Sequence, residues 1–135
     1  MQRRHLVLAG ASLLALPVLP RTGLAQERAN PMPEALRQSL ERDPTAPVLG
    51  NPQGDITLSE FFDYNCPFCR KMVEPMHRLI TSDPKLRVVF REWPVFGEDS
   101  DFAARASLAS LQQGRYWQFH TALFRTRGRV TEAAT

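Results

Sequence analysis

Residues 56–93, ITLSEFFDYNCPFCRKMVEPMHRLITSDPKLRVVFREW, decide the fold. They open on an apolar and aromatic run, Ile56 to Asp63, set off by Gly54-Asp55 before it and Asn65 after it, which reads as a strand. From Cys66 the spacing turns helical. Cys69, Met72, Val73, Met76 and Ile80 fall at i, i+3, i+4, i+7 and i+11, so they share a face suited to packing on a sheet. Pro75 removes a backbone donor inside this helix and predicts a kink, and Ser82-Asp83-Pro84 ends it. Leu86 to Trp93 is a second strand, with Leu86, Val88 and Phe90 on one side and Arg87, Val89 and Arg91 on the other, closed by Pro94. A strand, a helix long enough for a crossover and a second strand make a parallel βαβ unit, which implies an α/β class.

Downstream, Ser100 is placed to cap a helix whose Phe102, Ala103, Ala106 and Ala109 share a face, and Gly114 stands where a helix-ending glycine is favoured. Tyr116, Phe119, Leu123 and Phe124 then mark an amphipathic helix to about Arg125. Gly128 breaks it, and Thr131 offers a cap for a further turn. Upstream, residues 26–54 carry Pro31, Pro33, Pro44, Pro47 and Pro52, which confines regular structure to one short helix around Glu34 to Arg42. They read as a lead-in segment, so the chain supplies two strands.

Residues 1–25 read as an export signal: Arg3 and Arg4 at a basic start, a short apolar run from Leu6 to Pro20, and Gly23-Leu24-Ala25 before Gln26. The apolar run is shorter than the ~20 residues needed to span a bilayer. The Arg3-Arg4 pair also fits a twin-arginine signal, with Gln2 in place of the usual Ser or Thr. The whole chain has a net charge of +3, but its first 25 residues hold Arg3, Arg4 and Arg21 and no acidic residue, so the remainder balances at 14 basic and 14 acidic side chains. That balance gives no support for binding nucleic acid or an anionic membrane. Two cysteines are too few for a disulfide scaffold and suit one redox pair in an oxidising compartment.

Cys66-Pro67-Phe68-Cys69 places those thiols at a helix start, where they can form and break a disulfide with little backbone motion. Cys66, at the N-terminal boundary, meets unpaired N–H groups and the positive end of the helix dipole, which favour thiolate. That makes it the better leaving group and the attacking thiol. Cys69, one turn in, faces the core with Met72 and Val73 and is the resolving thiol. Pro67 suits the first turn, and Phe68 offers neither sulfur a hydrogen bond. Other readings of the pair are half a zinc or copper site and a permanent structural bridge. Metal binding needs further ligands. His77 and His120, the histidines beyond the signal, lie at no ligand spacing and read as surface or packing residues, so no metal and no cofactor is expected.

Glu60 alternates with Ile56, Leu58 and Phe62, which predicts a carboxylate on a largely apolar face. Burial would raise its pKa and let it exchange protons with Cys69; an edge-strand Glu reaching solvent is the plainer alternative. Phe61, Phe62, Tyr64 and Phe68 suggest an apolar docking surface for unfolded chains, although Phe61 and Phe62 read more simply as core. Phe68 is expected to be partly exposed.

The stretch Glu60-Phe61-Phe62-Asp63-Tyr64-Asn65-Cys66-Pro67-Phe68-Cys69-Arg70 resembles the DsbA-like branch of the thioredoxin superfamily. Similarity continues through Arg91-Glu92-Trp93-Pro94-Val95-Phe96-Gly97, Ser100, Ala103-Ala104, Gln113-Gly114-Arg115-Tyr116 and Phe119-His120, covering about residues 44–127. The resemblance implies a thioredoxin-like α/β fold with a helical insertion, residues 55–94 forming the βαβ part and 98–135 the start of the insertion. It implies a periplasmic protein-disulfide oxidoreductase without a cofactor, with Cys66 attacking, Cys69 as its partner in a redox-active disulfide and Glu60 as the buried acid. Its partners would be unfolded or reduced exported proteins and a membrane or soluble redox protein. An oxidase is favoured over a reductase or isomerase, because residues 26–54 look short for a dimerising region; a monomer is expected. The family's familiar Pro-His dipeptide is Pro67-Phe68 here, which predicts a weaker oxidant. The family's later strands and cis-proline loop find no match, since the last proline is Pro94; the expectation is an incomplete form of the fold that is not stable alone.

Overall fold

The computed structural model describes residues 32–135, so the export-signal reading of residues 1–25 lies outside the described residues. In chain order the elements are α1 (Glu34–Glu41), β1 (Val48–Gly50), β2 (Ile56–Phe62), α2 (Pro67–Ser82), β3 (Leu86–Glu92), α3 (Glu98–Leu111) and α4 (Tyr116–Arg125), with a 3₁₀ turn at Glu132–Ala134. β2 and β3 run parallel, pairing Ile56 with Leu86 through Phe62 with Glu92, and α2 is their crossover. This is the βαβ unit that the spacing predicts.

The expectation of two strands is corrected to three among the described residues. β1 pairs antiparallel with β3, Val48 opposite Val89 and Gly50 opposite Arg87, giving the order β1-β3-β2. Three residues are too short to show alternation, and the prolines around them mask a strand that only needs to serve as an edge. Two backbone features fix it. Phe90 N–H donates to Pro47 O at 2.9 Å and Asn51 N–H to Leu86 O at 2.8 Å. Gly50, at φ +79°, passes so close that a Cβ there would meet Leu86 O at 2.5 Å, so only glycine fits.

β3 is central and buried from Leu86 to Phe90. One sheet face packs Val88, Phe90 and Phe62 against Met76 of α2 and Tyr116, Leu123 and Phe124 of α4. On α2 the packed stripe is Cys69, Val73, Met76 and Ile80. Met72, expected on it, is 46% exposed because it lies about 70° off the stripe's centre. Pro75 is accommodated inside α2, which continues to Ser82. On the other face α1 has no basic residue in its last turn, and β3 supplies the charge. Arg87 Nη1 donates to Glu41 O at 2.6 Å, and Arg91 reaches the carbonyls of Ser39 and Leu40 and the Asp43 carboxylate. The bond to Glu41 O gives the buried Arg87 a partner for its charge.

The helices after β3 revise three details. Ser100 does not cap α3, which begins at Glu98 behind Gly97. The α3 face turned inward is Ser100, Ala103, Ala104, Ser107 and Ser110, which shares only Ala103 with the expected stripe of Phe102, Ala103, Ala106 and Ala109. Small and hydroxyl side chains are inside because the core here is polar, so a search for apolar spacing selects the wrong face. Gly114, at φ +65°, does end the helix, with Arg115 N–H returning to Ser110 O. On α4 His120 joins Tyr116, Leu123 and Phe124 as a buried residue, and Thr131 precedes its 3₁₀ turn without a side-chain cap bond.

Candidate active site

The end of β2, the turn from Asp63 to Cys66 and the first turn of α2 bring the predicted residues together. Cys66 is the N-cap of α2, with Pro67 in the first turn. Its N–H donates to Asp63 O at 3.0 Å, which closes the turn, and its Sγ accepts the Cys69 N–H at 3.4 Å. Both cysteines are free thiols, half-buried. Phe68 between them is 75% exposed, with Lys71 Nζ 5.6 Å from its ring.

The two thiols are split electrostatically. Partial burial pushes Cys66 up, but hydrogen bonds from the Cys69 thiol and from the N–H groups of Cys69 and Phe68 outweigh it and hold Cys66 below the ordinary thiol value. Cys69 is pushed up to about 11 by burial and by its hydrogen bond to Cys66, with the charge of Glu60 adding to the rise. The helix start thus makes one sulfur acidic at the other's expense.

Glu60 shares the α2 side of the sheet with Leu58 and Phe62 and is half-buried, with Oε2 turned inward. Burial raises its carboxyl to about 7, and its Oε2 is buried with no hydrogen-bond partner among the described residues. A carboxyl poised at neutral pH with a spare oxygen can hold or release a proton at small cost.

Three features were not read from the sequence. Phe61 is not core: it points away from α2, is exposed, and meets Trp93 edge-on at 5.7 Å. Trp93, Val95 and Phe96, also exposed, form with Phe61, Phe62, Asp63, Cys66 and Cys69 a cleft of about 200 Å³. Asp63, 4% exposed, accepts four hydrogen bonds at the base of that cleft. A charged residue inside an otherwise apolar run is the signal that could have drawn attention to it.

His120 is 2% exposed, and its Nδ1 lies 3.1 Å from the Tyr64 hydroxyl. His77 stacks on Trp117 at 5.5 Å. Among the described residues no group of three or more His, Cys, Asp or Glu side chains is arranged to hold a metal ion.

A thioredoxin family model matches residues 42–134. Among solved structures, a thioredoxin-like oxidoreductase from Silicibacter pomeroyi is 57% identical, with a TM-score of 0.69 over 72% of this chain and 56% of that one. A periplasmic thioredoxin-like protein from Salmonella enterica serovar Typhimurium is 27% identical, with a TM-score of 0.73 over 76% of this chain and 60% of that one. The thiol-disulfide exchange protein alpha-DsbA2 from Wolbachia pipientis is 28% identical, with a TM-score of 0.67 over 74% of this chain and 54% of that one. Among curated proteins, the Na(+)/H(+) antiporter NhaA 1 of Salinispora arenicola is 28% identical over 88 residues, a match that takes in 64% of this chain and 14% of the antiporter. The chain therefore spans between about an eighth and three fifths of the relatives it matches.

Proposed function

The chain belongs to the thioredoxin family, with DsbA-like thiol-disulfide oxidoreductases among its structural relatives, and from that premise we propose that it catalyses dithiol-disulfide exchange in exported proteins through Cys66 and Cys69. The observation that carries the proposal is the split between the two thiols, one below the ordinary thiol value and one at about 11.

In the oxidising direction the pair begins as the Cys66–Cys69 disulfide. A substrate thiolate attacks Cys66 Sγ, the bond to Cys69 breaks, and Cys69 leaves as a thiolate that takes a proton from the Glu60 carboxyl. A second substrate thiolate then attacks the substrate sulfur of the mixed disulfide. Cys66 departs as a stable thiolate; the substrate has gained a disulfide and the pair has gained two electrons. Reversal uses the same groups, with Glu60 accepting the Cys69 proton. A Glu60 pKa of about 7 lets it serve in both directions near neutral pH. Pro67 sets the first turn of α2. The Phe68 ring adds no hydrogen bond to that of its backbone N–H on Cys66, which supports a milder oxidant than a Pro-His enzyme.

The proposed setting is the periplasm, reached through the signal at residues 1–25 by a general or a twin-arginine route. The partners are unfolded or reduced exported proteins and a membrane or soluble redox protein that restores the disulfide. The chain acts as a monomer, with residues 26–54 as its lead-in. Oxidation is favoured over reduction or isomerisation. The test is to equilibrate the full chain with glutathione buffers and to assay dithiol-peptide oxidation beside insulin reduction. The proposal expects peptide oxidation and a reduction potential below the −120 mV of the strongest oxidants of this kind. Insulin reduction without peptide oxidation contradicts the direction, and stoichiometric copper binding without either activity contradicts the exchange.

A further inference from the structure

The Asp63 carboxylate joins the turn before α2 to the loop and helix that follow β3. On one side Oδ1 accepts the Asn65 N–H at 2.7 Å and the Ser100 hydroxyl at 2.8 Å. On the other Oδ2 accepts the N–H groups of Val95 at 2.7 Å and Phe96 at 3.1 Å. Its main-chain oxygen holds the Cys66 N–H. Of the first set, Asn65 belongs to the turn that presents the thiols and Ser100 to the first turn of α3. The second belongs to the loop between β3 and α3 whose Trp93, Val95 and Phe96 stand exposed as the wall of the cleft. Trp93 is tied in separately, its N–H donating to Phe62 O at 2.7 Å.

All four partners of the carboxylate are donors as placed. A carboxylate, which only accepts, satisfies every one of them, whereas asparagine has a single acceptor oxygen. In either orientation its NH₂ would face at least one backbone N–H, the pair on the wall or that of Asn65. The site therefore requires a charge at this point, at the cost of burying one beside a thiol that works as a thiolate; that charge acts to raise the Cys66 pKa. A residue serving the acidity of Cys66 alone would not be an aspartate. Its hydrogen bonds point instead to the wall.

We propose that Asp63 is a positioning and specificity-determining residue, which fixes the Trp93–Phe96 wall at the thiols so that the cleft takes a large apolar side chain flanking the cysteine of a polypeptide substrate. This rests on the exchange reading above. The cleft suits that ligand, being lined by Phe61, Phe62, Trp93, Val95 and Phe96 with Asp63 consumed at its base. A glycine-flanked cysteine would reach the same sulfurs without using the wall.

The test is single-turnover reduction of the oxidised full chain by two dithiol peptides, one with Leu and Phe beside its cysteines and one with Gly there. The unaltered chain should half-saturate at about tenfold lower concentration of the apolar peptide. Asp63→Asn should erase most of that preference through the half-saturation concentration rather than the limiting rate, and should add little in a Phe96→Ala background. Ser100→Ala, which removes one of the four donors, should lower the preference about threefold and serves if Asp63→Asn does not fold. No preference in the unaltered chain, equal losses on both peptides, or additive effects of Asp63→Asn and Phe96→Ala would each overturn the inference. Failure of the unaltered chain to oxidise either peptide or dithiothreitol would defeat the exchange reading and this inference with it. Oxidation of dithiothreitol with an unchanged peptide preference in the variants defeats the inference alone.

Discussion

Two regions of this molecule gather titratable side chains against the same sheet, and they treat those side chains in opposite ways. Under α3 and α4, Tyr64, Glu92, Ser107, Tyr116 and His120 form a closed network. The Tyr64 hydroxyl meets Ser107 at 2.5 Å and His120 at 3.1 Å, and Tyr116 donates to Glu92 at 2.8 Å. At the start of α2, Glu60 keeps an oxygen without a partner, one thiol is pushed below its ordinary value and the other above it. A satisfied network specifies how helices pack, while an unsatisfied one stores the capacity to change protonation. Perturbation alone does not separate them, because burial raises the pKa of Glu92 and Tyr116 as well. The distinction lies in whether the group has a partner and whether solvent can reach it.

The sharpest way to break the comparison is to remove a sulfur. Cys66→Ser should reduce disulfide exchange on the order of 1000-fold or more, measured by dithiol-peptide oxidation, with the thermal midpoint of the reduced protein little changed. A comparable loss from Tyr116→Phe would mean that the helical network, not the thiol turn, is the chemical centre. Next in size is Glu60→Gln. It should slow release of the mixed disulfide by Cys69 about 10–100-fold at neutral pH while sparing alkylation of Cys66, read by rapid quench and mass spectrometry.

The same two regions oppose each other with pH. Burial holds the His120 pKa down at about 4 from its ordinary 6.5, so the stability that it contributes as a neutral ring is present above 6.5 and lost as pH falls toward 4. Glu60 is raised from 4.5 to about 7, so its contribution is present at low pH and lost as pH rises through 7. Urea unfolding of Glu60→Gln at pH 5 and pH 8 should therefore lack the alkaline loss, gaining about 1–2 kcal/mol at pH 8 after allowance for its partial exposure. Smallest is Tyr116→Phe, which leaves Glu92 one donor short and should cost about 1 kcal/mol without moving the reactivity of Cys66.

How far the sequence could be read follows the same division. The βαβ unit was legible because β2, α2 and β3 each bury an apolar face at the period of their own element. The position of Cys66 at a helix start was legible as well, and the proposed thiol roles rest on it. Glu60 stood out as a carboxylate among apolar neighbours. β1 was hidden by being three residues long beside Pro47 and by depending on an approach of Gly50 to Leu86 that no local pattern records. The inward face of α3 was misread because Ser100, Ser107 and Ser110 are buried by partners from other elements. Asp63 and His120 share that cause: their hydrogen bonds reach Val95, Phe96 and Tyr64, and contacts across such separations leave no periodic trace. Strand alternation does not say which faces are covered, so Phe61 reads as core from the sequence although it is exposed.

The central claim is that the helix start separates the two thiols. It is tested most directly by alkylating the reduced full chain with iodoacetamide across a range of pH and mapping each cysteine by mass spectrometry. Cys66 should react with a midpoint below that of an ordinary thiol, ~8.5, while Cys69 stays protected until the pH nears about 11. A single shared midpoint near 8.5 for both cysteines would contradict the account.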